Sequence, residues 1–264
     1  MITLADVVKF FHRGTVNEVL ALNNVSLEIA RGDCITVIGS NGAGKSTLLN
    51  CLAGSFFPDS GTLRIDDENI TTWPEYRRAK FIGRVFQDPM RGTCGAMSIE
   101  ENMALALKRG MRRGFSLGVK AADRERFRAQ LRALDLGLEN RLRDRVGLLS
   151  GGQRQAMTML MATLVRPRLL LLDEHTAALD PKTAKQILDL TREIVERDRL
   201  TTLMVTHNMH QALDFGNRLV MLHRGEIILD VRDAEKAGLT VQDLLERFYT
   251  ASGERMESDR MLLG

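Results

Sequence analysis

The run Gly39-Ser40-Asn41-Gly42-Ala43-Gly44-Lys45-Ser46-Thr47 places glycines ahead of one lysine and two hydroxyls. Gly42 and Gly44 let the backbone turn and approach an anion with no Cβ in the way. Exposed N–H groups and the dipole of a following helix then favour phosphate. In this spacing, G-x-x-x-x-G-K-S, Lys45 adds a point charge on the β/γ-phosphates of a nucleotide and Ser46 supplies a magnesium ligand. Further on, the apolar run Leu169 to Leu172 delivers two carboxylates in succession, Asp173 and Glu174. The first suits magnesium, directly or through water; the second could polarise an attacking water or cap a helix. Between these stations lies Leu149-Ser150-Gly151-Gly152-Gln153. Ser150 and Gln153 have the spacing of a helix capping box. The two glycines, which a cap does not need, leave the helix N-terminus bare enough for a phosphate to reach its N–H groups.

These stations need elements to hold them. Cys34 to Ile38 is a short β-branched apolar run ending at Gly39, as expected of a buried parallel strand. Lys45 to Ala53 reads as a helix stopped near Gly54. Strands are expected at Val25 to Ile29, Thr62 to Ile65, Leu169 to Leu172 and Thr202 to Thr206. A hairpin joins Val220 to Leu222 with Ile227 to Leu229 through Arg224-Gly225. Helical patterns cover Ile99 to Leu107, Ala121 to Leu134, Gln153 to Leu164, Pro181 to Asp198 and Thr240 to Tyr249. A flexible basic connector is expected at 108–114, and a polar, frayed tail after Ser252. The stretch 88–166 therefore reads as a helical subdomain inserted into an α/β core.

Composition narrows the class. The chain has 264 residues, 44% hydrophobic and 27% charged, which argues against general disorder. A formal charge of +3 is too small to argue for nucleic acid. No apolar stretch approaches a bilayer span. The N-terminus lacks a basic region followed by an apolar segment, so no secretory signal is expected. Three scattered cysteines, Cys34, Cys51 and Cys94, form neither a disulfide framework nor a zinc pattern. The expectation is a reduced cytosolic protein, serving a membrane as a peripheral subunit if at all.

Taken together, the glycine loop, Leu149 to Gln153 and Leu169 to Glu174 resemble the ATP-binding cassette (ABC) ATPase family over nearly the whole chain. The resemblance implies a P-loop NTPase core: a mainly parallel sheet with flanking helices and an antiparallel β part, carrying an inserted helical subdomain. It implies one nucleotide-binding domain over 1–250, with core lobe 1–87 and 167–250, helical subdomain 88–166 and tail 251–264. It also implies Mg-ATP hydrolysis. Residues Gly39 to Thr47 would hold ATP, and Ser46, Gln87 and Asp173 would hold Mg2+. Glu174, His207 and Gln87 would act in catalysis. Ser150, Gly151, Gly152, Gln153 and Asp180 would touch the nucleotide or the partner of a second copy. Asp180 also precedes Pro181 as a helix N-cap should. Phe11 stands where the family has an aromatic that stacks on adenine, although Phe10 beside it leaves a core role open for either.

The family commonly has proline where this chain has His175, which either packs or hydrogen-bonds near the reaction centre; packing is favoured. Asp173 to Pro181 resembles ATPase subunits of bacterial uptake systems with an extracytoplasmic binding protein, some linked to aromatic amino acids. The implied partners are a second ATPase subunit, an integral-membrane permease and, indirectly, that binding protein. The alternatives are an exporter ATPase or a soluble ABC ATPase acting on nucleic acid or ribosomes. The first is weakened because exporters often fuse this domain to membrane segments. The second would need a long coiled-coil insertion or a second cassette. A different phosphate-loop enzyme, such as a kinase, leaves Ser150 to Gln153 unexplained. The basic stretch Lys108 to Arg128 is expected to be a solvated face, with contact to a permease loop or anionic headgroups as the alternative. Met157, Met159 and Met161 are expected to pack the helix behind the glycines.

Overall fold

A computed structural model describes residues 1–111 and 118–252. In chain order it contains β1 (Ile2–Phe11), β2 (Val19–Ile29), β3 (Cys34–Gly39), α1 (Lys45–Ala53), β4 (Ser60–Ile65), β5 (Glu68–Asn69) and α2 (Glu75–Arg78). Next come β6 (Ile82–Val85), α3 (Ile99–Leu107), α4 (Ala121–Arg132), α5 (Gly151–Thr163), β7 (Leu169–Asp173) and α6 (Pro181–Asp198). The last elements are β8 (Thr202–Val205), α7 (Met209–Asp214), β9 (Arg218–His223), β10 (Glu226–Arg232), α8 (Asp233–Ala237) and α9 (Val241–Ser252). Part of the expected basic connector and the polar tail lie outside the described residues. The elements group into two compact units, Met1–Arg78 with Leu200 onward, and Ala79–Arg199.

In the first unit, β3 runs parallel to both β8 and β9, and β9 closes an antiparallel hairpin with β10. Every residue of β3 is buried, which explains why its sequence is apolar without alternation. The hairpin turn puts Arg224 and Gly225 both at positive φ, the conformation whose twist matches the flanking strands. A separate antiparallel sheet has the order β2-β1-β4-β5. Strand β1 was not expected from the sequence. Its pairing with β2 shifts register between Leu4 and Val7, and Asp6 sits at φ 49. The bulge breaks the alternation that would betray a strand.

Helix α1 is fixed at its far end by Arg78, which is fully buried and bonded there through backbone carbonyls. Its guanidinium donates to the carbonyls of Cys51, Leu52, Trp73 and Thr71. The first two are the terminal carbonyls that a helix leaves without partners. One side chain thus ties the helix that starts in the glycine loop to the segment after β5.

In the second unit, β6 and β7 pair in parallel, Ile82 opposite Leu169 through Val85 opposite Leu172. Strand β6 was also missed from the sequence, since Gly83-Arg84 interrupts its short apolar run. Helices α3, α4, α5 and α6 enclose an apolar core that includes Ile99, Met103, Phe127, Leu131, Met157 and Ile187. Met157 and Met159 are fully buried and Met161 packs on this core, as expected. Helices α3 and α6 have the bounds read from the sequence, whereas α5 begins earlier, at Gly151.

The described arginines of the basic stretch all find partners within this unit. Arg109 donates to the carbonyls of Ala162 and Val165, and Arg126 to that of Leu164, at the C-terminal end of α5. Arg124 makes a two-point pair with Glu100, and Arg128 pairs with Glu125. The expected solvated face holds for Arg126 and Arg128, which are exposed, whereas Arg109 and Arg124 are half-buried. Arg112 and Arg113 lie outside the described residues.

Candidate functional site

The first unit carries the glycine loop, His207 and Phe11. Strand β3 delivers the chain to the loop, and α1 leaves it at Lys45. Gly44 sits at φ +102, and a Cβ there would lie 2.5 Å from the Ala21 carbonyl oxygen, so no larger residue fits. Gly42, at φ +79, has nothing within 4 Å of where its Cβ would be, and leaves the mouth of the loop open. Lys45 is buried, and its Nζ donates to the carbonyls of Gly39 (2.8 Å) and Ser40 (3.0 Å). The ammonium is thus held inside the loop it serves. Ser46 is exposed in the first turn of α1, which has no side-chain cap. Both facts suit a site whose donors await an anion.

His207 follows β8 and is half-buried. Phe11 ends β1, half-buried, with its ring edge-to-face against Phe56 at 5.1 Å and the Lys9 ammonium 5.8 Å away. It is not a core residue. Phe10 instead lies under the Arg13 guanidinium at 4.9 Å.

The second unit carries Gln87, the capping box, Asp173, Glu174 and Asp180. Gln87 is exposed just beyond β6. Asp173 closes β7 and accepts from Arg84 Nη2 at 3.2 Å. Glu174 turns the chain at φ 44, and its carbonyl accepts from the Ala177 amide. His175 is buried with its Nε2 3.0 Å from Thr191 Oγ1. Thr191 Oγ1 gives its own proton to the Ile187 carbonyl, so the imidazole is the donor. Burial pushes His175 down to about 4, which keeps the ring neutral. The packing role is the one the fold assigns.

Ser150 forms the expected capping box. Its hydroxyl accepts from the Gln153 amide, and the Gln153 side chain accepts from the Ser150 amide, both at 3.2 Å. Asp180 caps α6 through the Thr183 amide at 3.1 Å, with Pro181 in the first turn. Gly152 has a packing reason the sequence did not disclose. A Cβ there would meet Thr183 Cγ2 at 2.4 Å, so the starts of α5 and α6 abut.

By type each donor suits magnesium: the first unit offers the Ser46 hydroxyl, the second the Asp173 carboxylate and the Gln87 amide oxygen, all hard oxygen ligands. Among the described residues no group of three or more His, Cys, Asp or Glu is placed to hold a metal alone. Cys34 and Cys51 are buried thiols, and burial pushes that of Cys51 up to about 11. A thiol kept protonated by burial is a poor nucleophile. Arg84 is the site neighbour that the sequence motifs do not include, although an arginine within an apolar strand was visible there.

The ABC transporter family matches residues 22–177. This chain belongs to that family: it is the ATP-hydrolysing domain of an ABC transporter, with the α/β P-loop fold. It is 47% identical to a tyrosine transport ATP-binding protein of Clostridioides difficile over 86% of this chain and 90% of that one. It is 35% identical to a methionine import ATP-binding protein of Listeria monocytogenes over 86% of this chain and 65% of the relative. Among solved structures it resembles a dimeric ABC cassette bound to ADP and phosphate. That match has TM-score 0.74 and 31% identity, covering 88% of this chain and 98% of that one. Among the described residues no helix is long and apolar enough to cross a membrane.

Proposed function

We propose that the chain is the ATPase subunit of a bacterial importer for an amino acid, acting as a head-to-tail dimer beneath a separate permease. The observation that carries the reading is 47% identity to a tyrosine transport ATP-binding protein across nearly the full length of both chains. The methionine import relative points to the same class of solute. The subunit would be peripheral on the cytoplasmic face of the membrane, its solute handed on by an extracytoplasmic binding protein. The helical region 88–166 would be the part that answers the permease.

In this reading the loop Gly39 to Thr47 cradles the phosphates, and Lys45 leaves its loop carbonyls for the β/γ-phosphates. Phe11 stacks on the adenine. Ser46, Gln87 and Asp173 hold Mg2+, which when bound offsets charge on the phosphate oxygens. Glu174 orients and polarises the attacking water, and His207 contacts the γ-phosphate. Ser150, Gly151, Gly152 and Gln153 of the second copy present their bare helix end to the same phosphate, and Asp180 meets the partner. Loss of the γ-phosphate removes the contact that distinguishes closed from open dimer, so hydrolysis reopens it. Positioning and electrostatics carry the chemistry.

The test is affinity purification of tagged Glu174→Gln subunit with ATP from detergent-solubilised membranes, with co-purifying proteins identified by mass. A multi-span permease is expected, and the binding protein that accompanies it should bind an amino acid. Ribosomal proteins or DNA-repair factors without a permease would overturn the transporter role. A permease whose binding protein takes no amino acid would overturn the solute.

A further inference from the structure

Arg84 is a charged residue in a strand whose other members, Ile82, Gly83 and Val85, are all buried. Its side chain is 9% exposed. In the parallel register it stands opposite Leu171. Asp173 lies two residues further along β7, hence on the same face of the pair. The guanidinium lies 4.5 Å from the centre of the Phe86 ring, and Arg91 lies 5.0 Å from the same ring. Its Nε is buried with no hydrogen-bond partner among the described residues. A buried guanidinium is costly unless a charge answers it. Here the answering charge is Asp173, through the single contact of Nη2 with Oδ2.

That contact differs from the two-point arginine–carboxylate pairs of the protein, and among single-contact pairs such as Arg31–Asp66, Arg141–Asp144 and Arg247–Glu235 its arginine is the more buried. Arg218 grips Asp230, and Arg124 grips Glu100, through two nitrogens and both oxygens. Two-point forks are the strong arrangement and engage the whole carboxylate. Arg84 takes Oδ2 alone.

We propose that Arg84 is a positioning residue for Asp173, pinning Oδ2 so that Oδ1 is the oxygen offered to the metal. The assignment rests on Asp173 as a metal ligand. The arrangement has two opposed consequences. A fixed cation 3.2 Å from the carboxylate weakens its attraction for a divalent ion. The same contact holds the carboxylate in one orientation, which favours turnover.

The experiment titrates Mn2+ into the full chain with saturating ADP, reading free Mn2+ by electron paramagnetic resonance, alongside kcat and KM for ATP. In Arg84→Met the affinity for Mn2+ should rise roughly tenfold, as when a neighbouring cation is removed. In the same variant kcat should fall about tenfold while KM stays within about twofold. Arg84→Lys should return Mn2+ affinity to within about twofold of native, since it restores the charge. A folded Arg84→Met protein with native Mn2+ affinity, or with native kcat, overturns the assignment. If Arg84→Met does not fold, Arg84→Gln replaces it, with the same changes expected in the same readouts. Asp173→Asn separates the two levels. If that change leaves Mn2+ affinity native, Asp173 is no metal ligand and the underlying reading falls. If it weakens Mn2+ binding while neutral Arg84 variants do not alter it, only the role of Arg84 falls.

Discussion

His175 follows directly on Glu174, yet its ring is buried against Thr191 and donates to it. Its folded pKa, about 4, lies below the ordinary value of 6.5. The unfolded chain therefore takes up the proton first. The stability that depends on a neutral His175 is complete above pH 6.5 and is lost as pH falls toward 4. The difference corresponds to about 3 kcal/mol. Chemical denaturation of native and His175→Gln protein at several pH values checks this. The native protein should lose more stability between pH 6.5 and 4 than the variant does. Parallel losses would mean the imidazole titrates as freely as in the unfolded chain. The packing role could be foreseen at residue level, because the neighbours of His175 already supply the expected chemistry. Arg84 could not be weighed the same way, since its meaning depends on the register that sets it beside Asp173.

At the level of elements, α3 and α6 could be bounded from the sequence because each carries a cap and a periodic apolar face. Ser98 and Glu101 form a capping box on α3, and Asp180 with Pro181 opens α6. Strands β1 and β6 escaped because a bulge at Asp6 and an arginine at position 84 disturb patterns only a few residues long. Gly152 shows how one residue can serve two elements. Its lack of a side chain allows α6 to approach, and it also lies in the helix start expected to meet phosphate. Gly152→Ala should drive a methyl into Thr183 and cost about 1–3 kcal/mol, read from a urea midpoint. Thr183→Ser removes the colliding Cγ2, so the double variant should regain most of that loss. If the glycine also serves phosphate binding, ATPase activity will stay low in the double variant after stability has returned. Full recovery of both would confine Gly152 to packing.

For the whole molecule, the proposed dimer makes ATP part of an interface, so association must depend on the nucleotide and on its survival. Glu174→Gln protein should elute at twice the monomer mass with Mg-ATP and as monomer with Mg-ADP, while native protein returns to monomer as ATP is consumed. A Glu174→Gln protein that hydrolyses ATP at the native rate would remove that residue from the water-activating role. What the sequence could not supply at this scale is the solute. An ATPase of this kind carries its nucleotide motifs in its own residues, whereas the solute is written in a different chain.

The arginines at the end of α5 bear on how this protein could be engineered. A designer wishing to trim basic charge from 108–128 for solubility would see interchangeable positions in the sequence. They are not interchangeable. Arg128, paired across one turn with Glu125, is a surface residue open to replacement. Arg109 closes a helix whose opposite end is the capping box at Ser150. Charge editing there would amount to surgery on the helix itself.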